Sequence, residues 1–207
     1  MTSIDTTEFV KAAKGYLAKL NTVFTPDILG KVELFCSDLL DAWVHQRQVF
    51  ICGNGGSAAN ALHIANDLHY GIGTCSPSPI IPGIRVEALP ANTGIITCLA
   101  NDTGYENIYA NQLKVKANQN DILIALSGSG NSSNVVNAIK MANRLSMRSI
   151  AILAFNGGEC KELADLAIHF QINDMQIAED TQLIIGHLCM QWLNSHKPNQ
   201  FNRLNNG

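Results

Sequence analysis

The sequence predicts an α/β fold: a three-layer αβα sandwich with a central parallel sheet covered by helices on both faces. Short apolar runs rich in β-branched residues alternate with segments whose apolar residues recur every three or four positions. Most of these runs are apolar almost throughout, which is typical of strands buried on both faces. Strands that alternate with helices form βαβ units, and βαβ units produce a parallel sheet.

Two amphipathic helices are predicted before the first strand. They cover about residues 6–20 and 26–46, and Pro26 suits the first turn of the second helix. Their apolar faces exceed what one face of a sheet needs for cover, so we expect the N-terminal helices to pack in an oligomer. The large apolar residues of the second helix are Leu34, Phe35, Leu39, Leu40 and Trp43.

The remaining elements alternate along the chain. Strands are predicted at 48–52, 85–89, 121–127, 149–155 and 168–172, and helices at 58–68, 105–117, 132–146, 160–167 and 178–195. The Pro- and Ser-rich connection at 74–83 is predicted to be a surface loop, with a site beneath it as one interpretation. Because the composition is uniform and no repeat is visible, we expect one domain over 1–207. It has a helical segment to about residue 47 and a core over about 48–195.

Composition and charge bear on several functional classes. A net charge of −3 without any run of Lys or Arg argues against nucleic acid as a direct partner. The N-terminus resembles an amphipathic helix rather than a secretory signal, and no apolar run reaches the roughly 18 residues of a membrane span. We therefore expect a cytoplasmic protein without a membrane partner. The cysteines form no C-x-x-C pair and are predicted to be mostly buried thiols in a reducing compartment: Cys36, Cys52, Cys75, Cys98, Cys160 and Cys189.

Two turns rich in glycine and serine follow predicted strands, "CGNGGSAAN" at 52–60 and "LSGSGNSSN" at 126–134. Helix N-termini at the carboxyl ends of parallel strands present free N–H groups that bind anions. Neither turn contains the G-K-[ST] of nucleotide hydrolases or a complete dinucleotide fingerprint. Each turn alone is equally compatible with a helix cap, in which case Ser57 and Ser132 are structural. The pair favours a site for a compact phosphate monoester.

These turns and the segment "LANDTGYENIY" resemble the sugar isomerase (SIS) domain family, and their order and spacing look most like its phosphoheptose isomerase branch. The resemblance runs from the N-terminal helices to about Leu193. It implies the SIS fold, which is similar to flavodoxin and Rossmann folds. It also implies isomerisation of sedoheptulose 7-phosphate to D-glycero-D-manno-heptose 7-phosphate, a phosphosugar used for bacterial surface polysaccharides.

The resemblance also implies which residues bind the substrate. They lie in the two turns, in an Asn-Asp pair and on the last helix. The matched positions are Asn54, Gly55, Gly56, Ser57, Asn101, Asp102, Ser127, Gly128, Ser129, Ser132 and Glu179. Without the resemblance, the Asn-Asp pair is typical of a helix cap or an Asx turn.

Two histidines and nearby carboxylates form a second group. His63 and Asp67 are four residues apart and share a helix face, and His187 lies in a helix so apolar that a histidine there needs a polar partner. A hydrogen-bonded core histidine is the alternative interpretation. The resemblance implies one zinc ion per subunit, and two imidazoles with oxygen ligands suit zinc. The matched ligands are His63, Asp67, Glu179 and His187.

Two positions depart from the family pattern. Asp67 stands where the family has glutamate, and Glu179 stands where it has glutamine. In addition, at about 1.5 Å rise per residue, Glu179 and His187 lie about 12 Å apart along a continuous helix. They reach one ion only if Glu179 sits at a frayed helix start or if different subunits contribute, which leaves Asp180 as an alternative acid.

The predicted reaction is an aldose–ketose isomerisation through an enediol. We expect Asp67 to remove the proton next to the carbonyl and His187 to act as its acid–base partner, with zinc as the source of carbonyl polarisation. The serine-rich turn would orient the phosphate. By resemblance we also expect a homotetramer with sites at subunit interfaces.

The alternative is a non-catalytic SIS-domain protein that binds a phosphosugar or acts as a scaffold, resembling the replication-initiator-associating protein. The presence of His63 and His187 favours the enzyme, whereas the changes at Asp67 and Glu179 favour an altered substrate or lost activity. A sugar-phosphate-sensing transcription factor is disfavoured because no basic helix-turn-helix segment accompanies the domain.

Overall fold

The computed structural model describes residues 6–74 and 80–198. The chain alternates helices and strands after two N-terminal helices. In order, the elements are α1 Thr6–Thr22, α2 Pro26–Val44, β1 Gln48–Cys52, α3 Gly56–Asn66, a π-helical turn Asp67–Gly71, α4 Ile72–Thr74, β2 Arg85–Ala88, a 3₁₀ turn Leu89–Ala91, α5 Thr93–Thr103, a 3₁₀ turn Tyr105–Asn107, α6 Ile108–Lys116, β3 Ile122–Ser127, α7 Ser133–Arg144, β4 Arg148–Leu153, α8 Gly158–Leu163, β5 Leu166–His169 and α9 Met175–Ser195.

The strands form one parallel sheet in the order β2-β1-β3-β4-β5. The chain moves from β1 outward to β2 and then returns to place β3 on the other side of β1. In parallel sheets, ligands bind outside the carboxyl ends of the strands at such a point of reversal. Both glycine- and serine-rich turns begin there, because one follows β1 and the other follows β3.

Helices cover both faces of this sheet, which confirms the predicted α/β sandwich. One face is covered by α2, α3 and α9, whose buried side chains include Phe35, Trp43 and Ile185. The other is covered by α6, α7 and α8, with Leu113 and Ile139 in its core. Every residue of β3 is buried, as expected for a central strand with apolar layers on both sides.

Several element boundaries differ from the sequence predictions. Helix α5 was not predicted; none of its residues is fully buried, and only a short stripe of Ile96, Leu99 and Ala100 packs against the core. Strand β5 ends at His169 rather than at residue 172, because its last partner, Leu153, is the end of β4. The helix predicted at 160–167 is the shorter α8, which ends where Ala164 adopts an extended conformation.

The cysteines largely behave as small apolar residues. Within the described residues Cys36, Cys52, Cys160 and Cys189 are buried and free, whereas Cys98 is free but exposed. Burial raises the pKa of the Cys160 thiol to about 12. Cys75 and the rest of the segment 75–79, which is half of the loop predicted at 74–83, lie outside the described residues.

Membrane insertion by a helix finds no support in the structure. Across residues 6–74 and 80–198, none of the helices combines the length and apolar character that crossing a bilayer requires.

Candidate active site

A cavity of about 290 Å³ opens at the carboxyl ends of β1 and β3. Both turns contribute to its wall, and the start of α9 closes one side. Its lining residues are Asn54, Gly55, Gly56, Ser57, Leu126, Ser127, Gly128, Ser129, Ser132, Met175 and Glu179. The structure thus brings together all the predicted substrate-binding residues except Asn101 and Asp102.

The N-termini of α3 and α7 border this cavity. The residues that precede the two helices, Gly55 and Ser132, make no side-chain capping hydrogen bond. The Ser132 hydroxyl is therefore not used as a helix cap, which was the alternative interpretation of the sequence. Uncapped helix N-termini supply N–H donors and the positive end of the helix dipole, and both favour an anion.

The serine side chains of the second turn are held by its own main chain. The Ser127 Oγ accepts the Gly130 N–H at 3.1 Å, and the Ser129 Oγ accepts the Asn131 N–H at 3.2 Å. Because each oxygen serves as an acceptor, each hydroxyl hydrogen is left to donate to a ligand. The turn therefore presents oriented hydroxyl donors as well as main-chain N–H groups.

Gly130 allows this turn to approach its neighbour closely. Its φ of +68° lies in the left-handed region, and a Cβ at this position would come within 1.9 Å of the Gly157 carbonyl oxygen. A side chain at residue 130 would therefore push the turn away from the loop that precedes α8.

A second group lies further along α3 and α9. The His63 Nε2 is 2.9 Å from the His187 Nε2, and the Asp67 Oδ2 is 3.4 Å and 3.6 Å from these two atoms. One ligand atom from each residue lies within 4.8 Å of the others. Both histidine side chains are about half exposed, whereas that of Asp67 is 15% exposed.

The packing of α3 against α9 brings the two histidines together. Gly186 lies against Ile64, and a Cβ at residue 186 would come within 2.7 Å of the Ile64 Cγ1. The absence of a side chain at Gly186 therefore lets the helices approach closely next to His187. Asp67 opens the π-helical turn, a rare distortion that occurs often at functional sites.

Two acids of α9 lie outside this group. Glu179 lines the cavity, and its carboxylate lies so close to Gly56 that a Cβ there would clash with it. Asp180 instead accepts a hydrogen bond from the Tyr16 hydroxyl of α1, which raises the pKa of Tyr16 to about 12. Within one chain, His63, Asp67 and His187 are thus brought together without Glu179 or Asp180.

Asn101 and Asp102 are exposed on α5 and are not among the residues that line the cavity. The Asn101 Nδ2 donates to the Asp102 Oδ1 at 2.7 Å. Their predicted contact with a sugar stays a prediction, because a single chain does not bring them to the cavity.

Two buried polar residues near the site were not predicted. Gln182 is 1% exposed and donates to the Ser57 Oγ at 3.1 Å, and its Oε1 accepts from Asn60 at 3.0 Å. Asn134 is also 1% exposed and bonds to Asn54 across the cavity wall. A polar residue in the apolar sequence of α9 was a usable signal for Gln182. Asn134 had no such signal, because it lies in a polar turn.

Comparison with known proteins agrees with this architecture. Residues 8–154 match the SIS domain family. The chain is 35% identical over 161 residues to the phosphoheptose isomerase of Akkermansia muciniphila, covering 78% of this chain and 81% of that protein. It is 38% identical over 146 residues to the phosphoheptose isomerase of Pelodictyon phaeoclathratiforme, covering 69% and 67% of the two chains.

A solved structure shows the same fold. The phosphoheptose isomerase of Neisseria gonorrhoeae matches with a TM-score of 0.82 at 23% identity, over 91% of this chain and 98% of that chain. This protein therefore belongs to the SIS domain family and, within it, to the phosphoheptose isomerases.

Proposed function

We propose that the protein is a phosphoheptose isomerase that converts sedoheptulose 7-phosphate to D-glycero-D-manno-heptose 7-phosphate. The observation that carries the proposal is the pairing of two sites along the same two helices. A cavity suited to a phosphate lies at the N-terminal ends of α3 and α9, and a His/Asp/His group lies further along them. The similarity to named phosphoheptose isomerases supports the choice of substrate.

The cavity residues are assigned to binding rather than to chemistry. Ser127, Ser129 and Ser132 donate to the phosphate oxygens together with main-chain N–H groups of the two turns. Glu179 is assigned to the sugar hydroxyls, because a carboxylate accepts hydrogen bonds from hydroxyls but repels a phosphate. Anchoring the phosphate in this way orients the sugar for reaction at its far end.

Asp67 and His187 are assigned to proton transfer. Asp67 takes a proton from C1 of the ketose to give an enediol, and His187 delivers a proton to C2. A second hydrogen moves from O1 to O2, so the product is an isomer and no oxidant is consumed. The aspartate carboxylate is suited to this role, since it lies beside two imidazoles and is mostly shielded from solvent.

The donor set of the His/Asp/His group fits a zinc ion. Three protein ligands of this kind leave a coordination position for a substrate, as in catalytic zinc sites. His63, Asp67 and His187 would hold the ion, and Glu179 of another subunit is the predicted further ligand. Zinc bound there would supply Lewis-acid polarisation of the carbonyl group.

A homotetramer with the sites at subunit interfaces is also part of the proposal. Leu62 directly precedes His63 in the sequence, and Leu188 directly follows His187. The two leucines are 46% and 41% exposed. Exposed leucines next to a polar centre suggest a surface that another subunit covers. The number of four subunits, the single-domain organisation of residues 1–207 and cytoplasmic localisation rest on the sequence predictions.

The test is turnover of sedoheptulose 7-phosphate by the purified protein, followed by NMR before and after chelation, with metal content measured on the same samples. We expect zinc-dependent product formation, and a loss of at least about 100-fold in kcat/KM for Asp67→Asn and His187→Ala. His45→Ala is the matched control, because His45 is an exposed histidine that directly follows α2, and its Nδ1 lies 2.9 Å from the Asp41 Oδ1.

Activity retained in both variants would contradict the assigned residues. Binding without turnover by a folded, zinc-loaded protein would instead favour the non-catalytic phosphosugar-binding protein. That alternative has one observation in its favour, the presence of Asp67 and Glu179 where the family resemblance implies glutamate and glutamine.

A further inference from the structure

The two turns that line the cavity are joined by a pair of asparagine side chains. The Asn54 Nδ2 donates to the Asn134 Oδ1 at 2.8 Å, and the Asn134 Nδ2 donates to the Asn54 Oδ1 at 2.8 Å. Asn54 lies in the first turn, and Asn134 is the last residue of the second turn and the second residue of α7. The pair is thus a direct side-chain link between the two sides of the cavity.

The orientation of both amides is fixed by the main chain. The Asn134 Oδ1 also accepts the Val135 N–H at 3.0 Å, and a main-chain N–H can only donate. The oxygen of Asn134 must therefore face this N–H, and the Asn54 NH₂ group must face that same oxygen. The Asn54 Oδ1 is in turn left to accept from Asn134 and from the Tyr105 hydroxyl, which lies at 3.0 Å.

Both amide oxygens are consequently filled by protein donors. A carbonyl oxygen has two lone pairs, and each of these two oxygens accepts at least two hydrogen bonds within 3.0 Å. Asn134 is 1% exposed, so loss of its partner would leave a buried polar group unsatisfied. Such a pair defines a fixed distance between the backbones that carry it.

We propose that Asn134 acts as a positioning residue for the two phosphate-binding turns through its hydrogen-bonded pair with Asn54. The pair holds the first and second turns at the spacing that one phosphate group requires, and Tyr105 holds Asn54 in this orientation. The inference deepens the proposed function, because it concerns the phosphate-binding end of that same site. It adds Asn134 to the residues that the family resemblance implies, and it leaves the second Nδ2 hydrogen of Asn54 available to the substrate.

A double-mutant cycle tests whether Asn134 acts through Asn54. The dissociation constant for inorganic phosphate is measured by ³¹P NMR for the full-length wild type, Asn54→Ala, Asn134→Ala and the double variant. We expect each single change to weaken phosphate binding by about fivefold to tenfold, since one hydrogen-bonded link is lost. The dissociation constant of the double variant should lie within about twofold of that of the weaker-binding single variant, because both changes break the same link.

Asn143→Ala is the matched control. Asn143 lies near the other end of the same helix and its amide donates to the Leu163 carbonyl at 2.9 Å, away from the cavity-lining residues. The phosphate affinity of this control variant should remain at the wild-type value. If Asn134→Ala does not fold, Asn134→Ser replaces it in the cycle, because serine suits the first turn of a helix but is too short to keep the pair.

Three results would overturn the proposal. Multiplicative effects in the double variant would mean that Asn134 does not act through Asn54. Unchanged phosphate affinity in Asn134→Ala, with a lower unfolding temperature, would mean that the pair only stabilises the fold. Absence of phosphate binding by the wild type would remove the site that the pair is proposed to position. Because phosphate binding requires no isomerisation, a failure of sedoheptulose 7-phosphate turnover leaves this test intact.

Discussion

Asp67 reaches both histidines although its side chain is one methylene shorter than the glutamate of the family pattern. Its Oδ2 lies 3.4 Å and 3.6 Å from the two Nε2 atoms. The residue starts the π-helical turn, where the backbone departs from regular α-helical geometry. This local change of backbone geometry would allow the shorter aspartate side chain to place its carboxylate where the family pattern places that of a glutamate.

Zinc affinity tests this interpretation without reference to activity. We expect Asp67→Asn to weaken zinc binding at least tenfold, because the anionic oxygen of the His/Asp/His group is lost. Asp67→Glu keeps the negative charge and should weaken zinc binding less than Asp67→Asn does. Competition with a chromophoric chelator measures both values, and an Asp67→Asn protein with wild-type affinity would contradict the assignment.

Glu179→Ala provides the comparison within the same assay. Glu179 lies outside the His/Asp/His group of its own chain. Unchanged zinc affinity in this variant would limit the ligands to His63, Asp67 and His187. A loss comparable to that of Asp67→Asn would mean that another subunit supplies Glu179 as a ligand.

At the scale of elements, the start of α9 is fixed by one carboxylate. The Asp174 Oδ1 accepts the Ile177 N–H at 3.3 Å and caps the helix, and its Oδ2 accepts from the Lys19 Nζ of α1 at 2.6 Å. The hydrogen bond from Lys19 is the main reason that the pKa of Asp174 is below its ordinary value. This residue therefore connects α1 to the helix that carries Glu179 and His187.

The lowered pKa gives a definite sign to the pH dependence. Asp174 stabilises the folded protein above its ordinary pKa of 3.8, and this stabilisation is lost as the pH falls through the lower pKa of the folded state. Thermal unfolding from about pH 6 to about pH 3 should show a smaller acid destabilisation in Asp174→Asn than in the wild type. Asparagine caps a helix as well as aspartate does, so the comparison isolates the charge.

Asp174→Ala removes the cap together with the ion pair. We expect its unfolding temperature at neutral pH to be lower than that of Asp174→Asn by about 2–4 °C. Equal unfolding temperatures for the two variants would show that the cap contributes nothing measurable to stability.

Predictability from the sequence differed between buried and exposed elements. The central strands β1 and β3 were predicted because they are apolar at nearly every residue, and β1 was predicted at its observed bounds. Helix α5 was missed although Ile96, Leu99 and Ala100 recur at helical spacing, because this stripe is short and none of its residues is fully buried. The π-helical turn at Asp67 was also missed, since an extra residue in one helical turn leaves no mark in the apolar spacing.

The candidate site was predictable where local motifs form it. The turns at 52–57 and 126–132 meet at one cavity because they follow adjacent strands. The alternating pattern implied that both turns lie at the carboxyl ends of a parallel sheet, but it did not imply the order of the strands. The Asn54–Asn134 pair could not be predicted, because it joins residues far apart in the sequence whose contact depends on the packed sheet. The placement of Glu179 away from His187 agrees with the expected rise along one helix.

At the scale of the whole molecule, several large apolar side chains remain exposed in the described residues. They occur on α1, next to His63 and along α9. They include Phe9, Val10, Leu17, Leu62, Leu188 and Trp192. Exposed apolar groups on neighbouring helices are typical of subunit contacts, in agreement with the proposed homotetramer.

Light scattering after size-exclusion chromatography tests the oligomer. We expect four chains in the wild type and fewer in Leu188→Glu, because a charge would be buried against another subunit. Val115→Glu is the control, since Val115 on α6 is 83% exposed and lies on the opposite side of the sheet from α9. A tetramer that persists in Leu188→Glu would contradict the proposed interface.

The length of helix α3 also sets the distance between the phosphate cavity and the His/Asp/His group. Ser57 at its start borders the phosphate cavity, and His63 lies near its other end, about 9 Å further along the axis at the usual helical rise. A sugar anchored by its phosphate must span this length before its carbonyl carbon reaches Asp67. Short phosphosugars would bind without reaching the acid, so the enzyme would select carbon-chain length before it reads the configuration of any hydroxyl.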